Sequence, residues 1–216
     1  MAMMRHAPNV LSLFRIAVVP FFILLLFGQT LLHGIGAVIL FAAAAITDYL
    51  DGRIARKYKT DSRFGEFIDP LADKILVGGA FISFVLLPDF FVPFILVLVI
   101  LAREVIVTIM RVAAMRSGTV MKTERSGKLK TAFQMGTILI VLLLLILKRA
   151  ALAVSREPGI SLLEGRDFWI RAFGRPGGLI VFYIPAVLVF VCAVLAVLSM
   201  AGYVRGNRGV LRSLFK

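Results

Sequence analysis

The sequence predicts an all-α, polytopic membrane protein with six transmembrane helices, and three observations predict it. Hydrophobic residues make up 60% of the 216-residue chain and charged residues 17%. Mean hydropathy is +0.97, a balance that leaves too little polar material to clothe a soluble domain of this size. The apolar residues gather into runs close to the length of about 20 residues that crosses roughly 30 Å of hydrocarbon. The cations cluster beside those runs, in short connections and tails.

The first run, 8–30, follows Arg5 and in that respect resembles a signal peptide. No small-residue cleavage pattern closes it, however, and Gly28-Gln29-Thr30 reads as a turn between retained spans. The second and third runs, 34–57 and 64–87, qualify as spans only if their charged ends face water or protein. The fourth, 90–115, carries Arg103 between the apolar stretches VLVILA and VIVTIM. The fifth and sixth lie at 129–148 and 178–203. An even number of spans places both termini on one side, and a single integral-membrane domain, 1–216, accounts for the chain. The exception is 148–177, which mixes Lys148, Arg149, Arg156, Arg166, Arg171 and Arg175 with Glu157, Glu164 and Asp167. It is expected to be an extramembrane insertion running along the headgroups, with Phe168 and Trp169 at the interface.

A net charge of +13 is often a mark of nucleic-acid binding, but here its distribution points to a membrane surface. Arg5, Arg53 to Arg63, Arg111 to Lys130 and Arg205 to Lys216 all fall on one face of the six-span arrangement, which makes that face cytoplasmic. Connections 28–34 and 87–89 on the other face hold no Lys or Arg. One cysteine, Cys192, lies inside the last run and is expected to serve packing. With only His6 and His33, the chain has no material for a zinc site or a Ser/His/Asp triad.

The chemistry is expected between Asp48 and Asp73. Asp48, Asp51, Asp69 and Asp73 stand in segments otherwise apolar enough to enter a bilayer, where an ionised carboxylate is costly unless a partner meets it. At about 100° per residue, Asp48, Asp51, Gly52, Ala55 and Arg56 fall within an arc of about 140° on one helix. Gly65, Asp69 and Asp73 form a narrow stripe at the start of the next. A short polar connection, 59–62, makes the two helices antiparallel neighbours, so the stripes can face each other. Oxygen ligands without His or Cys select magnesium, manganese or calcium. Four carboxylates exceed the needs of one ion and match a two-cation site for phosphoryl chemistry. Gly52, Ala55 and Gly65 leave the carboxylate faces without bulk, and Arg56 adds a cation suited to phosphate.

Asp48-x-x-Asp51-Gly52-x-x-Ala55-Arg56, eight residues, then Gly65-x-x-x-Asp69-x-x-x-Asp73 resembles the full signature of the CDP-alcohol phosphotransferases. PNVLSLFR at 8–15, FIDPLADK at 67–74, AREVIVTIMR at 102–111 and SGKLKTAFQ at 126–134 resemble the bacterial phosphatidylglycerophosphate synthase branch of that family. Segment 148–177 departs from its usual short form, and Ser12 stands where the branch often has Thr.

The resemblance implies a six-helix enzyme of the bacterial inner membrane, with both termini and the active site cytoplasmic. It would transfer the phosphatidyl group from CDP-diacylglycerol to sn-glycerol 3-phosphate and release CMP. Asp48, Asp51, Asp69 and Asp73 would hold two divalent cations, Mg2+ or Mn2+, with Asp73 also the general base. Asp48, Gly52, Ala55, Arg56 and Gly65 would border the cytidine diphosphate, and a homodimer is implied. An acceptor phosphate needs cations of its own, for which Arg103, Arg111, Arg125, Lys128 and Lys130 are the candidates. Two competing readings of these cations are an Arg103 pair with Glu104 or Asp89, and cytoplasmic anchoring by Lys128 and Lys130. Within the family the acceptor alternatives are inositol phosphate or serine. Outside it, an acidic membrane cluster also fits a divalent-cation transporter, which would be expected to show paired repeats and acids at the midplane.

Overall fold

The computed structural model describes residues 7–58, 63–116, 125–154 and 165–208, with side chains described except at 7–13, 48–73, 116, 125–126 and 128. Six helices make up the described chain, with no strand: α1 Ala7–Phe27, α2 Leu31–Tyr58, α3 Arg63–Leu86, α4 Phe94–Arg116, α5 Arg125–Val154 and α6 Gly165–Gly206. Each coincides with one expected run. Among the described residues, Leu129–Val154 and Gly165–Gly206 are long and apolar enough to cross a membrane. Phe14–Phe27, Leu31–Thr47 and Lys74–Leu86 are shorter apolar stretches. The helices group into two compact units, 1–87 with 138–163 and 88–137 with 164–216.

In the first unit α1 packs on both α2 and α3. Its core holds Phe22, Leu26, Phe41, Leu76, Phe81 and Phe84, all 4% exposed or less, with the Phe22 and Phe41 rings 6.0 Å apart. The expected turn at 28–30 separates α1 from α2. Thr30 caps the new helix, its Oγ1 accepting the backbone N–H of His33 at 3.3 Å, as an N-cap hydroxyl does three residues before an orphan donor. The other end of α1 is capped from α5. Arg149 donates through Nη2 to the Leu26 carbonyl at 2.5 Å and through Nη1 to that of Leu25 at 3.5 Å. Such terminal carbonyls have no partner within their own helix. Gly34 makes room for this guanidinium, since a Cβ there would lie 3.2 Å from the Arg149 side chain.

That contact corrects one expectation. Lys148 and Arg149 are 6% and 4% exposed and do not lie along headgroups, because α5 continues to Val154 and turns both inward.

In the second unit, α6 runs for 42 residues. At about 1.5 Å per residue that is roughly twice the hydrocarbon thickness. It is broken at Gly174, whose φ of 72° and ψ of 167° are non-helical. A short arm, 165–173, therefore folds back on the long arm. The approach is closest at buried Gly178, where a Cβ would come well under 3.0 Å from the backbone of Trp169 and Ile170. Gly165, at φ 51°, has no room for a Cβ either, with the Pro88 carbonyl oxygen 2.5 Å from that position.

The short arm buries aromatic rings against the 88–93 connection. Trp169 stacks with Phe90 at 5.6 Å and with Phe173 at 6.1 Å, meets the edge of Phe168 at 5.1 Å, and donates its Nε1–H to the Asp89 carbonyl at 2.9 Å. Phe168 and Trp169 are thus buried within protein, 1% and 0% exposed, and not at a lipid interface as expected. Two adjacent large rings find more partners in the 88–91 turn than a headgroup layer offers, and the indole N–H gains an acceptor. Cys192 is buried as expected, its Sγ 3.3 Å from Thr137 Oγ1.

Candidate active site

Asp48, Asp51, Gly52, Ala55 and Arg56 lie on the last three turns of α2, and Gly65, Asp69 and Asp73 on the first three of α3. Both helices belong to the first unit, and both are continuous over the positions concerned. The three- and four-residue spacings are therefore helical spacings, which place each set on one helical face. The side chains of 48–73 lie outside the described residues. The donor set, four carboxylates without imidazole or thiolate, fits hard divalent cations. Among the described residues there is no group of three or more His, Cys, Asp or Glu side chains.

The candidate acceptor residues separate into three groups. Arg103 and Lys130 come together in the second unit. Arg111 is exposed on α4, eight residues beyond Arg103 on the same helix. Arg125 and Lys128 sit in the first turn of α5, with side chains outside the described residues.

Arg103 is 8% exposed and Lys130 4%, and both meet Glu104. Arg103 Nη1 lies 3.3 Å from its Oε1, and Lys130 Nζ donates to the same oxygen. Arg103 Nη2 also donates to Ser199 Oγ at 2.8 Å. The Arg103–Glu104 pair weighed from sequence therefore exists, but it is one arm of a larger arrangement with two cations on one carboxylate. Two buried donors, Arg103 Nε and Gln134 Nε2, have no hydrogen-bond acceptor among the described residues. Two buried cations and two open donors make an environment that favours a further hydrogen-bond acceptor.

Sequence reasoning missed Ser199 and Gln134. Lys130, Gln134 and Thr137, spaced i, i+4 and i+7 and all 4% exposed or less, form a polar row down one face of an otherwise apolar helix. That row was the available signal for Gln134. Ser199 had none, being a single hydroxyl among apolar neighbours, 96 residues from its partner.

A family model described as CDP-alcohol phosphatidyltransferase matches residues 5–160, which takes in all four aspartates, Arg103 and Lys130. The chain belongs to this family. Curated relatives agree along its length. A "Probable phosphatidylglycerophosphate synthase" of Mycobacterium tuberculosis is 36% identical over 184 residues, 82% of this chain and 87% of the relative. A "CDP-diacylglycerol--glycerol-3-phosphate 3-phosphatidyltransferase" of Shigella flexneri serotype 5b is 31% identical over 214 residues, 97% of this chain and 98% of the relative. A protein of the same description from Rickettsia typhi is 41% identical over 141 residues, 65% and 78% of the two chains. In this CDP-alcohol phosphatidyltransferase, Ser199, together with the whole of the long arm of α6, lies beyond the part that the family model matches.

Proposed function

We propose that the protein transfers the phosphatidyl group of CDP-diacylglycerol to a hydroxyl of sn-glycerol 3-phosphate, forming phosphatidylglycerol phosphate and CMP. The observation that carries this reading is the complete aspartate register, Asp48, Asp51, Asp69 and Asp73, on two helices of one unit. The alignment over 97% of the chain with a transferase so described supports it.

The acceptor hydroxyl oxygen attacks the phosphorus that bears the diacylglycerol, and the bond from that phosphorus to the oxygen of CMP breaks. Asp73 takes the hydroxyl proton, its position one helical turn beyond Asp69 keeping both carboxylates on one face. Two divalent cations, Mg2+ or Mn2+, held by the four aspartates would supply charge neutralisation for the phosphates and the leaving CMP. Arg56, with Gly52, Ala55 and Gly65 leaving room beside it, borders the cytidine diphosphate.

Arg103 and Lys130 receive the acceptor phosphate, assisted from the same helices by Arg111, Arg125 and Lys128. The burial of both cations and the open donors Arg103 Nε and Gln134 Nε2 support that assignment. Six transmembrane spans with both termini and the aspartates cytoplasmic, in a bacterial inner membrane, agree with the distribution of Lys and Arg. A homodimer completes the reading.

CMP release by the purified protein, with CDP-diacylglycerol, magnesium and one acceptor at a time, tests it. Release with glycerol 3-phosphate alone, abolished by EDTA and by Asp73→Asn, is expected. Release with inositol phosphate or serine instead would overturn the acceptor, and no release with any acceptor would overturn the reaction.

A further inference from the structure

Next to the buried cations of the second unit stands a neutral donor, Gln134, whose amide neither balances charge nor moves a proton. It is 2% exposed, and its Nε2 has no hydrogen-bond acceptor among the described residues. Leaving an amide N–H buried without an acceptor is costly. A ligand that brings the acceptor recovers that cost on binding.

Three contacts fix the level of this amide. Arg103 on α4 donates to Ser199 on α6, and Lys130 on α5 donates to Glu104, the neighbour of Arg103. Thr137, seven residues beyond Lys130, meets Cys192, seven residues before Ser199, with Oγ1 and Sγ 3.3 Å apart. Helices α5 and α6 therefore run antiparallel here with matched rows, Lys130, Gln134 and Thr137 on one and Ser199, Ala196 and Cys192 on the other. Opposite Gln134 the buried Ala196 contributes only a methyl group.

Side chains on a helix lean toward its N-terminus, so the Gln134 amide reaches back toward Lys130. The Cβ atoms of such i, i+4 neighbours lie about 5–6 Å apart. Arg103 Nε also has no acceptor among the described residues, on a guanidinium already held through Nη2 by Ser199 at 2.8 Å. Two charged donors at one level are thus followed, one helical turn along α5, by a neutral one.

We infer that Gln134 is a specificity-determining residue for the acceptor: its Nε2–H donates to the hydroxyl oxygen on the middle carbon, while Arg103 and Lys130 hold the phosphate. The inference rests on the acceptor reading proposed above and adds which part of the acceptor is recognised. A phosphate draws the charged donors, Arg103 Nε among them, and leaves the amide for an uncharged oxygen. In glycerol 3-phosphate the middle hydroxyl is that oxygen, one carbon along from the phosphate-bearing end, and the terminal hydroxyl stays free to attack. A site that hydrogen-bonds a substrate hydroxyl rejects an analogue lacking it, because the buried donor is then left open.

3-Hydroxypropyl phosphate keeps the phosphate and the terminal hydroxyl and lacks the middle one. CMP release by the full-length protein, with CDP-diacylglycerol and magnesium, is compared for this analogue and sn-glycerol 3-phosphate. The parent chain should favour glycerol 3-phosphate in kcat/KM by about 10–100-fold. Gln134→Met, close in volume and without the donor, should remove most of that preference, the loss falling on glycerol 3-phosphate rather than on the analogue. Gln134→Ala should change the ratio in the same direction with a smaller side chain. Equal kcat/KM for the two acceptors in the parent chain overturns the inference and leaves the reaction standing. So does a preference that survives both substitutions, or an equal fall on both acceptors, which is what a purely structural amide would give. No release with glycerol 3-phosphate by the parent chain would be the failure of the acceptor reading itself, seen before any substitution, and the inference would fall with it.

Discussion

Gly178→Ala should weaken the docking of the short arm of α6. Two terms oppose each other. An alanine in a helix interior is favoured over glycine by up to about 1 kcal/mol. The added Cβ, however, falls well under 3.0 Å from backbone atoms of Trp169 and Ile170, and backbone cannot rotate away as a side-chain tip can. The short arm must retreat until 3.4 Å, the start of ordinary van der Waals contact, is reached. Crowding of this kind costs about 1–3 kcal/mol, so with the full propensity gain set against it the net effect is a loss of up to about 2 kcal/mol, as much as a roughly 30-fold shift away from the docked arm. Complete undocking would expose Trp169 and Phe168 and break the indole hydrogen bond, a larger loss, so strain in place is the cheaper response. Acrylamide quenching of Trp169 emission and its thermal transition in detergent read the result directly. Greater quenching and an earlier transition are expected. Gly136→Ala provides the opposite sign, since nothing lies within 4 Å of its Cβ position and only the helix-propensity gain remains. If Gly178→Ala were as stable and as protected as the parent chain, the backbone contact that closes the α6 hairpin would be refuted.

Ser199→Ala removes the 2.8 Å acceptor of Arg103. It is expected to cost about 1–3 kcal/mol in thermal stability and to raise the KM for the acceptor more than it lowers kcat. Glu104→Ala leaves Arg103 and Lys130 buried without their shared carboxylate, and a loss of about 3–5 kcal/mol should appear as failure to survive detergent extraction. Arg149→Ala uncaps α1 and should lower the melting temperature by an amount equivalent to about 1–3 kcal/mol. Arg149→Lys should recover only part of this in the same melt, because one ammonium cannot reproduce the two-armed contact.

All six helices were legible from the length of the apolar runs, and the 28–30 turn from its Gly-Gln-Thr chemistry. The ends were less so. The limits of α5 moved outward at both ends, to Arg125 and Val154, because a hydropathy run stops at the first charge, whereas a helix continues wherever its charges find partners. Lys148 and Arg149 illustrate this: sequence alone assigns two adjacent cations to water, and only the terminal carbonyls of α1 explain Arg149 inside. Segment 165–177 was read with the correct amphipathic character but with its rings facing lipid, since composition does not say which of two apolar surroundings an aromatic residue enters. In the candidate site, Asp48 to Asp73 stood out because carboxylates are rare in such runs. Arg103 stood out for the same reason. Ser199 carries no charge and breaks no pattern, so its role emerges only when α4 and α6 are brought together.

The neighbouring charges on α4 also set an order of assembly. Glu104 is answered by Lys130, 26 residues later, and Arg103 by Ser199, 96 residues later. While the ribosome is still making the rest of the chain, α4 holds only the Arg103–Glu104 contact made within itself, at 3.3 Å. The arrangement is thus partial until α5 arrives with the lysine, and complete only when the last helix brings the serine. A nascent chain released before residue 199 would retain the whole aspartate signature and yet leave the Arg103 guanidinium without its hydroxyl acceptor.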